Sequence, residues 1–119
     1  MKLKCFFIVL LIFASLGGIN SLGRFYVSEP LRSGMESEMY FTVRNPTNDN
    51  LEDVNVKVYI YDLGLRLTSQ KFDINDGDHK VARIYWIVPD YVRKSTYLSK
   101  VTVGNDHYKD SKHIFLTIN

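Results

Sequence analysis

The stretch VNVKVYI, residues 54–60, alternates aliphatic residues with polar or amphipathic ones. Successive side chains of a β-strand point to opposite faces of the sheet. Lys57 and Tyr59 are therefore expected on a solvent face, opposite a buried face made by Val54, Val56, Val58 and Ile60. An antiparallel sheet with one packed face and one wet face produces this pattern. The stretch predicts a half-buried strand.

Further runs of the same two-residue period follow along the chain, and no helical period is present after residue 23. Loops rich in Asn, Asp, Gly and Pro separate the runs. The pattern predicts an all-β, immunoglobulin-like antiparallel β-sandwich of about seven strands over residues 22–119. The residues expected to face inward in these runs are Phe25, Val27, Met39, Phe41, Val43, Ala82, Ile84, Trp86, Val88, Tyr97, Val101, Val103, Ile114, Leu116 and Ile118.

Two positions carry more specific structural predictions. Leu65 and Leu67 share one face, but the next apolar pair, Phe72 and Ile74, has the opposite parity, so a bulge or strand break is expected near Ser69-Gln70. Tyr97 opens a late strand, where a sandwich places a corner tyrosine whose hydroxyl bonds to nearby backbone.

The first 21 residues have the layout of a secretory signal. Lys2 and Lys4 precede the apolar run at residues 5–16, and small or turn-forming residues follow at 17–21. The run is short for a membrane span, although extension to Ile19 makes an uncleaved N-terminal anchor a second interpretation. Residues 1–21 are thus predicted to be a signal peptide or anchor, and the protein to be extracytoplasmic, secreted or held at the cell surface.

Charge and cysteine content exclude several classes of function. The chain of 119 residues has 15 basic and 13 acidic residues, and its two excess basic residues lie in the predicted signal. The remaining domain is formally neutral and lacks a clustered basic stretch, so we expect no nucleic-acid partner. Cys5 lies in the signal as well. Residues 22–119 contain no cysteine nucleophile, no phosphate-binding glycine loop and no nucleophile elbow, which predicts a protein that is not an enzyme and has no cofactor.

The acidic stretch DINDGD, residues 73–78, admits two interpretations. A helix–loop–helix calcium loop needs oxygen ligands at its first, third and fifth positions and a glycine at the sixth. Here Gly77 falls at the fifth position and Asp78 at the sixth, so the pattern fails. A hairpin turn without tight metal is expected, and a weak extracellular calcium site remains the alternative. Three histidines, His79, His107 and His113, lack zinc-site spacing and are expected at the surface.

Tyr59, Tyr61 and Tyr85 form the candidate contact surface. All three fall at positions expected to face outward, and exposed aromatic side chains mark contact surfaces. The alternative is that tyrosine suits the half-buried positions of sheets in any case.

The run from Leu51 to Ile118 resembles the small immunoglobulin-like domains of bacterial and archaeal surface proteins, of the CARDB-like or S-layer-associated kind. The similar segments are VRNPTNDNLEDVNVKVYI (43–60), YDLGLRLTSQKFDINDGD (61–78), IVPD (87–90) and TYLSKVTVGND (96–106). The chain departs from the family at residues 93–96, where Arg-Lys-Ser-Thr replaces a frequent Pro-Gly. The resemblance implies the fold and an extracytoplasmic, non-catalytic role, and it brings no site residues.

These features together predict an exported, non-catalytic cell-surface module that acts by contact, in adhesion, as a scaffold or in surface-layer-associated assembly. The alternative is a small carbohydrate- or calcium-binding accessory module. A protein partner, a surface assembly or a second copy joined through an edge strand is expected, and membrane contact is expected only through an uncleaved N-terminal segment.

Overall fold

The computed structural model describes residues 7–9, 22–27 and 30–119. Regular structure in these residues is almost entirely β-strand, apart from one turn of 3-10 helix at Tyr61–Leu63. The strands are β1 (Phe7–Val9), β2 (Leu22–Val27), β3 (Glu36–Arg44), β4 (Leu51–Ile60), β5 (Leu65–Thr68), β6 (Phe72–Ile74), β7 (His79–Ile87), β8 (Ser95–Gly104) and β9 (Lys109–Ile118).

The strands form two sheets in which all paired strands are antiparallel. The first sheet has the order β1-β2-β3-β7, and the second has the order β5-β4-β8-β9. β6 also pairs with β4, beyond the end of β5, so β5 and β6 lie one after the other along the same side of β4. When these two are counted as one interrupted edge strand, the described residues from 22 onward form seven strands. The predicted immunoglobulin-like sandwich is confirmed.

The core lies between the two sheets and consists of the residues that the alternation assigns inward. Every one of them is at most 9% exposed, including the whole aliphatic face of β4. Phe25 and Phe41 stack at the centre, with ring centroids 4.9 Å apart. Two further core residues, Leu31 and Val92, come from loops and have no periodic neighbours in the sequence.

The predicted parity slip is a strand break between β5 and β6. Ser69 lies in the break and is buried. Its backbone N–H donates to the carbonyl oxygen of Val56 at 2.8 Å, and its Oγ accepts the N–H of Val56 at 2.9 Å. The Ser69 hydroxyl oxygen therefore replaces the backbone carbonyl that a continuous strand would offer to the Val56 N–H. Beyond the break, Phe72 and Ile74 pair with β4 again, with the opposite parity to Leu65 and Leu67.

The tyrosine corner is also confirmed. Tyr97 is buried at the start of β8, and its hydroxyl donates a hydrogen bond of 2.8 Å to the carbonyl oxygen of Arg93. This bond fixes the connection that enters β8 from the preceding loop.

Gly104, the last residue of β8, has a φ of +150°. A Cβ atom at this position would lie 1.9 Å from the carbonyl oxygen of Tyr108. The turn into β9 brings the backbone this close because the N–H of Asn105 donates to the same oxygen at 2.8 Å. Glycine is required here by both conformation and space.

Residues 75–78 form a turn, as expected, but the turn is not a hairpin. It joins β6 of the second sheet to β7 of the first, because β6 pairs with β4 while β7 pairs with β3. Gly77 adopts a φ of +73°, and the N–H of Asp78 donates to the carbonyl oxygen of Asn75 at 3.0 Å. The local sequence predicts a tight turn, but it does not determine whether the strand after the turn pairs in the same sheet or in the other one.

Buried Asn45 ties the end of β3 to this turn. Its Nδ2 donates to the carbonyl oxygens of Asp49, at 2.7 Å, and Ile74, at 3.1 Å. Its Oδ1 accepts from the N–H and the hydroxyl of Thr47 at 2.9 and 2.6 Å. A single amide thus organises the loop at residues 45–50 and links the two sheets.

Most of the predicted signal or anchor segment, residues 1–21, lies outside the described residues. The exception is β1, whose residues Phe7, Ile8 and Val9 pair with Val27, Tyr26 and Phe25 of β2. Among the described residues, no helix is long and apolar enough to cross a membrane.

Candidate functional site

The three tyrosines of the candidate contact surface lie on opposite outer faces of the sandwich. Tyr59 and Tyr61 are on the outer face of the second sheet, where their rings meet edge to face with centroids 5.0 Å apart. Tyr85 is on β7, in the first sheet, and is 73% exposed. The structure therefore offers two separate surfaces, which differ in composition.

The face that carries Tyr59 is basic and hydroxyl-rich. Cross-strand pairing aligns Arg66, Tyr59, Lys100 and His113 in one row, and the neighbouring row contains Thr68, Lys57, Thr102 and Ser111. We call Lys57, Tyr59, Arg66 and Lys100 the basic groove. They line an open depression of about 1070 Å³ whose far end carries the carboxylates of Asp49, Glu52, Asp53 and Asp106.

The ring of Tyr59 in the basic groove and the adjacent ring of Tyr61 both contact neighbouring side chains. The Arg66 guanidinium lies over the Tyr59 ring, 4.7 Å from its centroid. The Tyr61 ring stacks on His113, and the Tyr61 hydroxyl lies 3.1 Å from its Nε2. Because Arg66 lies over the Tyr59 ring and His113 stacks on the Tyr61 ring, each ring has a charged or polar neighbour on one face, and the two rings meet edge to face instead of forming a flat aromatic platform.

The face that carries Tyr85 is apolar along the edge of the first sheet. Val81 and Ile87 are 58% and 63% exposed, and both lie on the same side of β7 as Tyr85. We call Val81, Tyr85 and Ile87 the β7 surface. Arg83 lies between Val81 and Tyr85 on the same face, but three large exposed apolar side chains on one strand are still more than the scattered single exposures that a soluble protein normally shows.

A polar cluster borders the β7 surface on its β3 side. Glu38 of β3 lies opposite Tyr85, and its Oε1 accepts the Tyr40 hydroxyl at 2.7 Å. Hydrogen bonding to Glu38 raises the pKa of both Tyr40 and Tyr85, with its negative charge and partial desolvation acting in the same direction. The Arg83 guanidinium lies over the Tyr40 ring at 5.5 Å.

The backbone of β7 has an open side. Among the described strands, β7 pairs only with β3 and ends the sheet. The N–H of Val88 donates to Met35 and the carbonyl of Asp78 accepts from Asn45, so the even-numbered residues of this strand direct their backbone groups toward β3. Because these directions alternate along a strand, the N–H and C=O groups of Val81, Arg83, Tyr85 and Ile87 point to the open side.

Sequence reasoning identified Tyr85 but missed Val81 and Ile87. The signal was present, because residues 81–88 are apolar at seven of eight positions and alternation predicts burial for only half of them. The basic groove could not be found in this way, since its residues come from three strands whose register is fixed by tertiary pairing.

The acidic and imidazole side chains are dispersed. His79 and His107 are exposed, and His113 contacts Tyr61. Asp73 Oδ1 accepts the N–H of Asp53 at 3.1 Å, and Asp78 Oδ1 accepts the N–H of His79 at 2.9 Å. Within the described part of the chain, no group of three or more His, Cys, Asp or Glu side chains is placed to hold a metal ion.

Neither a protein-family model nor a curated protein matches this sequence. Similarity is found among solved structures. A crystal structure of the CARDB domain of the PF1109 protein from Pyrococcus furiosus, in complex with di-metal ions, superposes with a TM-score of 0.56 at 14% identity, covering 80% of this chain and 84% of that one. The solution structure of the same domain gives a TM-score of 0.57 at 16% identity, covering 79% and 89%.

A third similar structure is part of a larger protein. The alkylpurine DNA glycosylase AlkC of Pseudomonas fluorescens, bound to DNA containing an abasic site analogue, gives a TM-score of 0.53 at 13% identity and covers 87% of this chain but 32% of that one. At these identities the similarity is one of fold. The predicted likeness to CARDB domains is confirmed at that level, and the association with S-layers stays a prediction.

Proposed function

We propose that the protein is an exported, non-catalytic cell-surface module that acts by contact, in adhesion, as a scaffold or in surface-layer-associated assembly. The observation that supports this role most directly is the β7 surface beside an open strand edge. A row of exposed apolar side chains next to unpaired backbone groups is the arrangement that β-strand addition uses. The fold shared with CARDB domains and the predicted signal at residues 1–21 support the same role.

Localisation and retention in the native host test this proposal. We expect the full chain to be labelled on intact cells by a membrane-impermeant amine reagent and to stay with the envelope fraction. The variant Val81→Lys/Ile87→Lys should be released into the medium, because two cations on the β7 surface oppose apolar docking. Lys57→Asp, on the opposite face, is the control and should be retained. A protein protected from labelling inside the cell would contradict the proposal.

The basic groove supports the alternative of a carbohydrate-binding accessory module. Since the two tyrosine rings meet edge to face and Arg66 lies over one of them, sugar recognition there would depend mainly on Lys57, Arg66 and Lys100, which favours an acidic oligosaccharide. Binding of uronate-containing oligosaccharides that Arg66→Ala and Lys100→Ala both weaken, and that Val81→Lys/Ile87→Lys leaves unchanged, would favour this function. No saturable binding would dismiss it.

The calcium part of the alternative has a separate test. Asp73 accepts the N–H of Asp53 in β4, and Asp78 accepts the N–H of His79 at the start of β7, so part of their capacity as ligands is in use. We expect no calcium binding at micromolar concentration in titration calorimetry. Tight binding that is abolished by both Asp73→Ala and Asp78→Ala would show that the turn is a metal site.

A further inference from the structure

The open edge of β7 is complementary to itself. We propose that two copies of the protein pair through antiparallel β7 strands about a two-fold axis at Ile84, which joins their first sheets into one continuous sheet. This inference rests on the proposed contact role of the β7 surface and names its partner.

The backbone groups that face the open side belong to odd-numbered residues of β7. In an antiparallel pair, residues that exchange hydrogen bonds lie directly opposite each other. Odd-numbered residues of one copy must therefore oppose odd-numbered residues of the other. With the axis at Ile84, Val81 faces the second copy's Ile87 and Arg83 faces its Tyr85, so this condition is met.

The side chains select this register over its neighbours. With the axis at Ile84, each exposed aliphatic residue faces an aliphatic one and each Arg83 faces a tyrosine ring, on which a guanidinium stacks favourably. A shift of the axis to Arg83 places the two guanidinium groups directly opposite each other, which is repulsive. A shift to Tyr85 places Arg83 opposite Ile87 and Val81 opposite Pro89. The register at Ile84 is the one without a mismatch among the three.

The chain also limits the length of the ladder. In the Ile84 register, His79 would face Pro89 of the second copy, and proline has no N–H to donate. Lys80 lies at the same end, and a lysine on an edge strand discourages further pairing. The paired segment is therefore residues 81–87 in both copies. A closed two-fold pair results, because each copy contributes the same β7 edge and the pairing occupies both of those edges.

Disulfide trapping tests the register in the full chain with Cys5→Ser. Hydrogen-bonded partners lie about 5.5 Å apart between Cα atoms, within the range that a disulfide spans. Val81→Cys mixed with Ile87→Cys should give a cross-linked dimer. Either variant alone should not, because identical residues are six positions apart along the strands, roughly 20 Å. Arg83→Cys alone tests the competing register with the two-fold axis at Arg83. A cross-linked dimer of Arg83→Cys, with no cross-linked dimer from the mixture of Val81→Cys and Ile87→Cys, would overturn the proposal.

Sedimentation measured over about a hundredfold range of concentration tests the association itself, since mass action makes the dimer fraction depend on concentration. We expect a monomer–dimer equilibrium that Tyr85→Arg weakens at least tenfold, because it places two cations against each other. Adding Arg83→Glu to Tyr85→Arg should restore the dimer. Phe115→Arg, an exposed aromatic position on β9, is the matched control. A parent protein that stays monomeric would overturn this inference, whereas failure of surface labelling would overturn the proposed function.

Discussion

The edge formed by β5 and β6 and the edge formed by β7 show how differently two strands can end a sheet. Both lie on the same side of the sandwich, where β5 approaches β7. The first edge is broken at Ser69, and its two pieces have four and three residues. The second runs unbroken over nine residues. A broken edge offers too few consecutive backbone groups to accept another strand, whereas β7 offers a full ladder.

The difference arises from the alternation in the sequence. The apolar parity slips by one between Leu67 and Phe72, and that slip forces the break. Along β7 the parity never changes, and apolar residues also occupy three of its five outward positions, at Val81, Tyr85 and Ile87. One edge is thereby protected and the other is left open. Substitutions can test this contrast, first in the strand that carries the broken edge.

The largest effect is expected from Val56→Asp in β4, the strand that pairs with both pieces of the broken edge. Val56 is fully buried, so the change places an unpaired carboxylate in the core and should cost several kcal/mol or more. The neighbouring exposed change, Lys57→Asp, should alter the free energy of unfolding by about 0.5 kcal/mol or less. Chemical denaturation of the parent protein and the two variants measures both changes in the free energy of unfolding. Equal losses would mean that β4 is buried on both faces.

Next in size is Asn45→Ala, at the link between β3 and the end of β6. The change removes four hydrogen bonds and leaves the buried carbonyl oxygen of Ile74 without its donor, so a loss of about 2–3 kcal/mol is expected. Asn48→Ala, at an exposed position of the same loop, is the control and should cost little. If both variants unfold at the same denaturant concentration, the loop does not depend on the buried amide.

Ser69→Ala tests the break itself. Without Oγ the N–H of Val56 loses its acceptor in a buried position, which should cost about 1–2 kcal/mol. Ser111→Ala, which removes a hydroxyl from the exposed contact with Thr102, should cost less than about 0.5 kcal/mol. Hydrogen exchange at the Val56 amide gives a local measure, and unchanged protection in Ser69→Ala would show that the hydroxyl does not close the break.

The smallest effect concerns the cluster beside the open edge. Since the pKa values of Tyr40 and Tyr85 are raised in the folded protein, the folded state holds their protons more tightly than the unfolded state. The tighter proton binding stabilises the folded state. This stabilisation is complete below the ordinary tyrosine pKa and is lost as the pH rises through the raised pKa values. In Glu38→Gln the two hydroxyls should ionise at lower pH than in the parent. Tyrosinate absorbance, with Tyr40→Phe and Tyr85→Phe for assignment, measures the shift, and unchanged ionisation would contradict it.

The sequence predicted those parts of the fold that depend on local order. Alternation identified the inward residues of β2, β3, β4, β7, β8 and β9, and the slip identified the break, because side-chain direction in a strand follows from position alone. The hydrogen bond from the Tyr97 hydroxyl to the Arg93 carbonyl spans only four residues, so it could also be predicted from the sequence. These features required no knowledge of which strands pair.

Features that depend on distant pairing could not be predicted. Leu31 and Asn45 lie in loops, where no period signals burial, yet both are nearly inaccessible to solvent. Tyr59 and Tyr85 have the same local pattern, but β4 and β7 belong to different sheets, so one tyrosine joins a basic groove and the other an apolar edge. The apolar outward positions of β7 were visible in the sequence and needed only the recognition that both faces of that strand are apolar.

The close approach at Gly104 also limits how the gene can change. Glycine codons begin with two guanines, and every single-nucleotide change at either of them replaces glycine with a residue that has a Cβ atom or creates a stop codon. Each such residue would meet the Tyr108 carbonyl and require an unfavourable backbone conformation. In a library made by random point mutation, this codon should therefore retain only its third-position variation. The codon of Gly64 differs, because its φ of +64° disfavours most side chains but no heavy atom lies within 4 Å of the Cβ position, so a change to Asp, which tolerates the left-handed region, should also be retained there.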